Sequence, residues 1–242
     1  MTKTILNAQE IEDLAFSALS GAGANENAAR ALARAASAAE IDGTRSHGLV
    51  YVPIYCEHVK CGKVIGNAIP EVVQKAPSAI HVNANSGFAH PAINAGFEKL
   101  IPAAKENGVA ALAIYNSYNC GVLGYHVEQL AKHSLVGLGF TNAPASIAPV
   151  GAKKPVVGTN PYALAIPSDG DRPVFVLDQS ASVIAKSEIN LHAKSGRPIP
   201  EGWAFDTDGN PTTDPNKALK GSMAPSGGYK GFGNGLMVEI FA

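Results

Sequence analysis

The chain has 242 residues, 46% of them apolar and 16% charged, with a formal net charge of -1. That is a globular composition long enough for one large domain or two smaller ones. Without a charge excess, neither nucleic acid nor a membrane surface is expected as a partner, and no run approaches the roughly 20 apolar residues that span a bilayer.

Residues 1–7 carry no signal-peptide apolar core and lead into a helix start at Asn7-Ala8-Gln9-Glu10, with Asn7 as cap and Glu10 closing a capping box. Ile11, Leu14, Phe16 and Leu19 supply its apolar face as far as Gly21. Asn25 caps a second helix reaching about Asp42, with Ala28, Leu32, Ala35, Ala36 and Ala39 on one stripe. So much alanine implies close approach to a neighbour. Residues 49–62 predict a third helix, closed by Gly62.

Beyond Gly62 the period changes. Strands are expected at 79–83, 109–115, 135–141, 162–166 and 174–177, and helices at 91–107, 121–133 and 183–194. The run 109–115 is apolar throughout and predicts a strand buried on both faces. The alternation argues for α/β layers. Pro, Gly, Thr and Asp between 198 and 228 predict a long ordered loop or a connection between lobes, and the apolar run 236–242 predicts the start of an element that ends prematurely.

Cys56, Cys61 and Cys120 are an odd number and make a poor disulfide framework, which points to a reducing cytoplasm. Cys56 and Cys61 have no second Cys/His pair at zinc spacing, so no metal is expected.

Several short stretches carry possible chemistry. Arg45-Ser46-His47-Gly48 sets a histidine, which titrates near neutrality, beside a hydroxyl and a guanidinium. Taken alone, a helix-ending glycine beside a satisfied histidine explains the quartet better. Asn119-Cys120-Gly121-Val122-Leu123-Gly124 joins a strand to a helix and offers backbone N–H groups to a phosphate, although a plain packing turn fits equally. It is not G-x-G-x-x-G, and that fingerprint occurs nowhere in the chain, which disfavours a Rossmann domain. Gly158-Thr159-Asn160-Pro161 presents two short polar side chains to a carboxylate or amide, or forms an Asn-Pro turn. Gly227-Gly228-Tyr229-Lys230-Gly231 suits a ribose or phosphate contact, or a loop with a solvated lysine. Asp178-Gln179-Ser180 lies at a strand's carboxyl end, where α/β proteins bind ligands, and Glu188 follows on the next helix.

Taken in order, these segments resemble the malate/L-lactate dehydrogenase family that lacks a Rossmann fold. That family also holds sulfolactate and ureidoglycolate dehydrogenases and cyclic ketimine reductases. Further matching stretches are Pro53 and Tyr55, Asn116-Ser117, Ala148-Pro149, Ser182, 199–203, 211–215 and Val238-Glu239. The resemblance implies a non-Rossmann, malate/L-sulfolactate dehydrogenase-like α/β fold of two lobes, with a C-terminal part missing. The lobes implied are a substrate and dimer lobe at 1–115, an NAD(P)-binding lobe at 116–235, and a truncated element at 236–242.

It further implies an NAD- or NADP-dependent oxidoreductase, a cytoplasmic homodimer acting on a small 2-oxo or cyclic 2-imino carboxylate. By that resemblance His47 donates the proton, with Ser46 and Glu188 or Asp178 as its relay. Asn119, Cys120, Gly121, Val122, Leu123, Asp178, Gln179, Ser180, Tyr229 and Lys230 match cofactor-binding positions, and Thr159 matches a substrate contact. Many members carry an arginine where this chain has Tyr51, which leaves Arg45 as the candidate partner for the substrate carboxylate. Many carry a second histidine where it has Asn119, and members continue for about a hundred residues further, as one two-lobed unit would. An acid at 188 and the missing arginine favour a cyclic imine such as Δ1-pyrroline-2-carboxylate. The alternatives are a malate- or lactate-type dehydrogenase and a truncated, non-catalytic binding protein.

Overall fold

The computed structural model describes residues 5–170 and 172–242. The reading of residues 1–4 as free of a signal-peptide core lies outside the described residues. The chain divides into two compact units, one running to Val136 and taking back Ile166–Val174, the other holding Gly137–Ala165 and Phe175–Ala242. The expected lobe boundary at 115/116 therefore falls inside the first unit.

The first unit opens with α1 (Ala8–Ala22), α2 (Glu26–Ile41) and α3 (Val52–Lys60). Asn7 accepts from the Glu10 N–H at 3.0 Å while Glu10 reaches back to the Asn7 N–H at 2.8 Å, so the capping box forms as its residues dictate. Asn25 caps α2 in the same way through the Ala28 N–H. Ala15 and Leu19 are the buried residues of α1, whereas Leu14, expected on the inner face, is 52% exposed. The alanine stripe of α2 packs with these, Val52, Tyr55 and Phe88 into one core.

Next come β1 (Glu71–Ala76), β2 (Ala79–Asn83), α4 (Ala89–Asn107), β3 (Ala111–Tyr115) and α5 (Leu123–Ala131). β2 pairs antiparallel with β1 and parallel with β3, and α4 is the crossover between the parallel pair. Ile80, Val82, Ala92, Leu100 and Leu130 form the core between sheet and helices. Gly96 lets α4 approach closely, since a Cβ there would press on Leu112 and Val82. The expectation that 109–115 is buried throughout is corrected: β3 is an edge strand whose residues alternate between exposed and half-buried.

The second unit carries β4 (Gly137–Phe140), β5 (Tyr162–Ile166) and β6 (Phe175–Gln179) in that sheet order, then α6 (Lys186–Lys194). The stretch 198–228 is not a plain loop. It holds β7 (Ala204–Phe205), α7 (Pro215–Lys220) and β8 (Ser222–Met223). Ile199, Ala204, Ala218 and Met223 from this stretch join Ile147, Val157, Ala181 and Ile189 in the unit's core. Tyr229 and Lys230 open α8 (Tyr229–Phe241), which takes in the apolar run from residue 236. Two glycines make this possible, because a Cβ on Gly231 would strike the Ser226 backbone and one on Gly235 would crowd Ala181.

Candidate active site

After α2 the chain reverses through Gly43, at φ +77°, and forms a single 3-10 turn, Arg45–His47. The Glu40 carboxylate, from the last turn of α2, accepts the Leu49 N–H at 2.9 Å and occupies the space where a Gly48 side chain would stand. A larger residue at 48 would have to displace the Glu40 side chain from its contact with the Leu49 N–H. Ser46 Oγ lies 3.0 Å from His47 Nδ1. When that hydroxyl donates, Nδ1 is the acceptor and the proton resides on Nε2. His47 is half-buried and Arg45 exposed.

The Tyr51 ring lies parallel to His47, with centroids 6.0 Å apart, and meets the edge of Tyr55 at 4.8 Å. Tyr55 continues the contacts to Phe88 and Tyr118, and Tyr118 bonds through its hydroxyl to His58 Nδ1. Burial, followed by the proximity of Tyr51, pushes the Tyr118 phenol up to about 12, and burial raises Tyr55 further. Both remain neutral hydroxyls at any working pH. The intervals His47, Tyr51, Tyr55 and His58 are helical spacing, a signal in the sequence that could have singled out Tyr55 and His58.

Tyr55 is 3% exposed, and its hydroxyl donates to Asn119 Oδ1 at 3.1 Å. The Gly121 N–H donates to the same oxygen at 3.2 Å. Two donors on one oxygen settle which end of the amide is which. The turn then passes through Gly121 at φ +68° and enters α5 after Val122, with Leu123 its first, buried residue and no side chain capping the helix. His126, on α5, holds the Cys120 carbonyl at 2.8 Å. A glycine turn with both ends tied, opening an uncapped helix, fits the phosphate of a dinucleotide. Ser46, His47, Tyr51 and Asn119–Leu123 are thus brought into one unit, with His47, Tyr51, Tyr55 and Asn119 linked by successive contacts.

The remaining predicted residues belong to the second unit. Asp178 and Gln179 end β6, both exposed, and Gln179 donates to the Tyr162 hydroxyl. Ser180 Oγ lies 2.9 Å from Ser182 Oγ. Glu188 sits half-buried in the first turn of α6. Thr159 is half-buried, and its carbonyl accepts from the Ala181 N–H at 2.7 Å. Tyr229 and Lys230 are exposed at the start of α8.

Asn160, read as a possible ligand contact, is not available for one. It is wholly buried, accepts the Ala143 N–H, and donates to the Gly235 carbonyl and Glu239. Among the described residues no cluster of three or more His, Cys, Asp or Glu could hold a metal ion, and no helix is long and apolar enough to cross a membrane.

The sequence pattern of the family described as malate/L-lactate dehydrogenase matches residues 6–242. The chain is 46% identical over 236 residues to the (2R)-3-sulfolactate dehydrogenase (NADP(+)) of Chromohalobacter salexigens, covering 98% of this chain and 70% of that protein. It is 40% identical over 237 residues to the Delta(1)-pyrroline-2-carboxylate reductase of Ancylobacter novellus, covering 98% and 69%. Among solved structures, the delta1-piperideine-2-carboxylate reductase of Pseudomonas syringae pvar. tomato superposes with a TM-score of 0.94 at 35% identity, over 98% of this chain and 72% of that one. With its mixed α/β units, the Ser46–His47 pair and the glycine turn before α5, the chain belongs to the malate/L-lactate dehydrogenase family.

Proposed function

We propose that this chain is an NAD(P)H-dependent oxidoreductase that reduces a small 2-imino or 2-oxo carboxylate, with a cyclic 2-imino acid such as Δ1-pyrroline- or Δ1-piperideine-2-carboxylate as its first substrate. The observation that carries the reading is the 3.0 Å contact between Ser46 Oγ and His47 Nδ1. It orients the imidazole and leaves Nε2–H as a proton donor. A bound reduced nicotinamide supplies the hydride for the C2 carbon. His47, as the imidazolium, delivers the Nε2 proton to the imine nitrogen, which makes the iminium, or to the carbonyl oxygen, and returns to the neutral tautomer that Ser46 holds. Glu188 or Asp178 completes the relay by stabilising the charge on the imidazole as protons pass.

Asn119 to Leu123, Asp178 to Ser180, Tyr229 and Lys230 hold the cofactor in this reading, while Thr159, Arg45 and Tyr51 face the substrate. The absence of an arginine at Tyr51 and the acid at Glu188 support a cationic iminium over a second anionic group. The lobes follow the same reading, with substrate and dimer contacts in 1–115 and the cofactor in 116–235. It includes a cytoplasmic homodimer, the location supported by Cys56, Cys61 and Cys120 forming no disulfide.

A second reading, a malate- or lactate-type 2-hydroxy acid dehydrogenase, is favoured by the 46%-identical sulfolactate dehydrogenase. NADPH and NADH oxidation with pyrroline-2-carboxylate, pyruvate, oxaloacetate and sulfopyruvate separates the two. Turnover of the imine supports the first reading. Turnover of keto acids alone replaces it with the second, and no turnover of any of them leaves a non-catalytic protein.

A further inference from the structure

Two histidines that the proposed mechanism does not use lie beneath the turn 119–123. His90, at the start of α4, is 2% exposed, and His126, on α5, is 4% exposed; their ring centroids are 5.1 Å apart. The Cys120 carbonyl can only accept, so His126 Nε2 carries the hydrogen in their 2.8 Å contact. Nδ1 of each ring is buried with no hydrogen-bond partner, so neither ring has a place for a second proton. The peptide between Cys120 and Gly121 is therefore held at both of its polar groups, the carbonyl by His126 and the N–H by Asn119 Oδ1. Gly121 rests on the second imidazole, because a Cβ there would lie 3.2 Å from His90 Nε2.

We propose that His126, seated against His90, is a positioning residue for the cofactor: its Nε2–H fixes the Cys120 carbonyl inward and so aims the backbone of turn 119–123 at the bound dinucleotide. This rests on the reading that the turn holds NAD(P)H. If the carbonyl were released, the peptide could rotate at Gly121 and turn an acceptor toward the phosphate. The role is one of orientation, since His126 is 4% exposed and meets the turn through the Cys120 carbonyl.

The side-chain nitrogen of glutamine stands as many bonds from Cβ as histidine Nε2, and that of asparagine as many as Nδ1. His126→Gln therefore keeps the donor in place and His126→Asn withdraws it. The measurement is NADPH affinity by fluorescence titration of the full chain, with the substrate KM at saturating NADPH and the melting temperature recorded alongside. We expect His126→Gln to stay within about twofold of the unsubstituted protein and His126→Asn to bind NADPH about tenfold more weakly, with substrate KM unchanged in both. Equal NADPH affinity in the two variants overturns the inference, as does a loss in both that follows a common fall in melting temperature. A change in substrate KM without one in NADPH affinity overturns it too. Failure of the unsubstituted protein to bind NADPH instead overturns the functional reading and takes this inference with it.

Discussion

Asn160 donates through Nδ2 to Glu239 Oε2 at 2.7 Å, joining the segment before β5 to the last turn of α8. The same nitrogen reaches the Gly235 carbonyl at 2.8 Å, and Oδ1 accepts the Ala143 N–H at 3.0 Å. Asn160 also sits at φ +37°, a left-handed conformation that asparagine tolerates better than most residues. One buried amide thus ties three segments of the second unit together.

Asn160→Ala removes three hydrogen bonds at a site with no solvent access and leaves their partners without a match. We expect a loss of about 2–4 kcal/mol in urea unfolding. A variant as stable as the unsubstituted protein would show that the amide is dispensable.

His47→Ala takes away the proposed proton donor. A loss of about a hundredfold or more in kcat is expected, with NADPH affinity retained. Ser46→Ala, which frees Nδ1 from its hydroxyl partner, should lower kcat less and displace the pH profile of kcat/KM. Full activity in His47→Ala would end the assignment.

Tyr51→Arg places a guanidinium four residues after His47. Against oxaloacetate, kcat/KM should rise relative to that against pyrroline-2-carboxylate, by about tenfold or more for a bidentate pair. An unchanged ratio would mean that this position does not contact the substrate's acidic group.

Burial lowers the His126 imidazole to about 4 and, with His126 beside it, holds His90 well below the usual histidine range. In the unfolded chain both bind protons near pH 6.5. Between that value and about 4 the unfolded chain holds more protons than the folded one, so stability falls as pH falls through this window. Urea midpoints should drop steadily from pH 7 to pH 4.5, and less steeply in His126→Gln. Parallel slopes for the two proteins would rule out His126 as a source of the acid sensitivity.

Tyr118, His58, Tyr55 and the two buried histidines carry much of the candidate site, yet only helical spacing and, for Tyr55, the family resemblance hinted at any of them. A histidine's letter does not say whether it faces solvent, substrate or another imidazole. His90 and His126 lie far apart in sequence and meet only because α4 and α5 pack on the same sheet region. β1 escaped notice for a similar reason. Its residues, Glu71–Ala76, are mostly exposed and carry no clear period, so pairing with β2 is what makes them a strand.

Local chemistry was sufficient wherever a few neighbouring residues decide the outcome. The capping box at Asn7, the cap at Asn25, and the strands β2 and β5 follow from side chains within a turn or a short alternation. The ordered motifs likewise identify the family from the chain alone, because their joint spacing is far more specific than any single one. Tertiary structure decided the rest. α8 is a helix despite three glycines within Gly231–Gly235, because the missing side chains of Gly231 and Gly235 permit contact with the Ser226 backbone and Ala181. Asn160 became a structural tie rather than a ligand contact because α8 brings Glu239 to it from far along the chain. Long-range packing overrides a residue's intrinsic preference when it supplies partners that the local sequence does not contain.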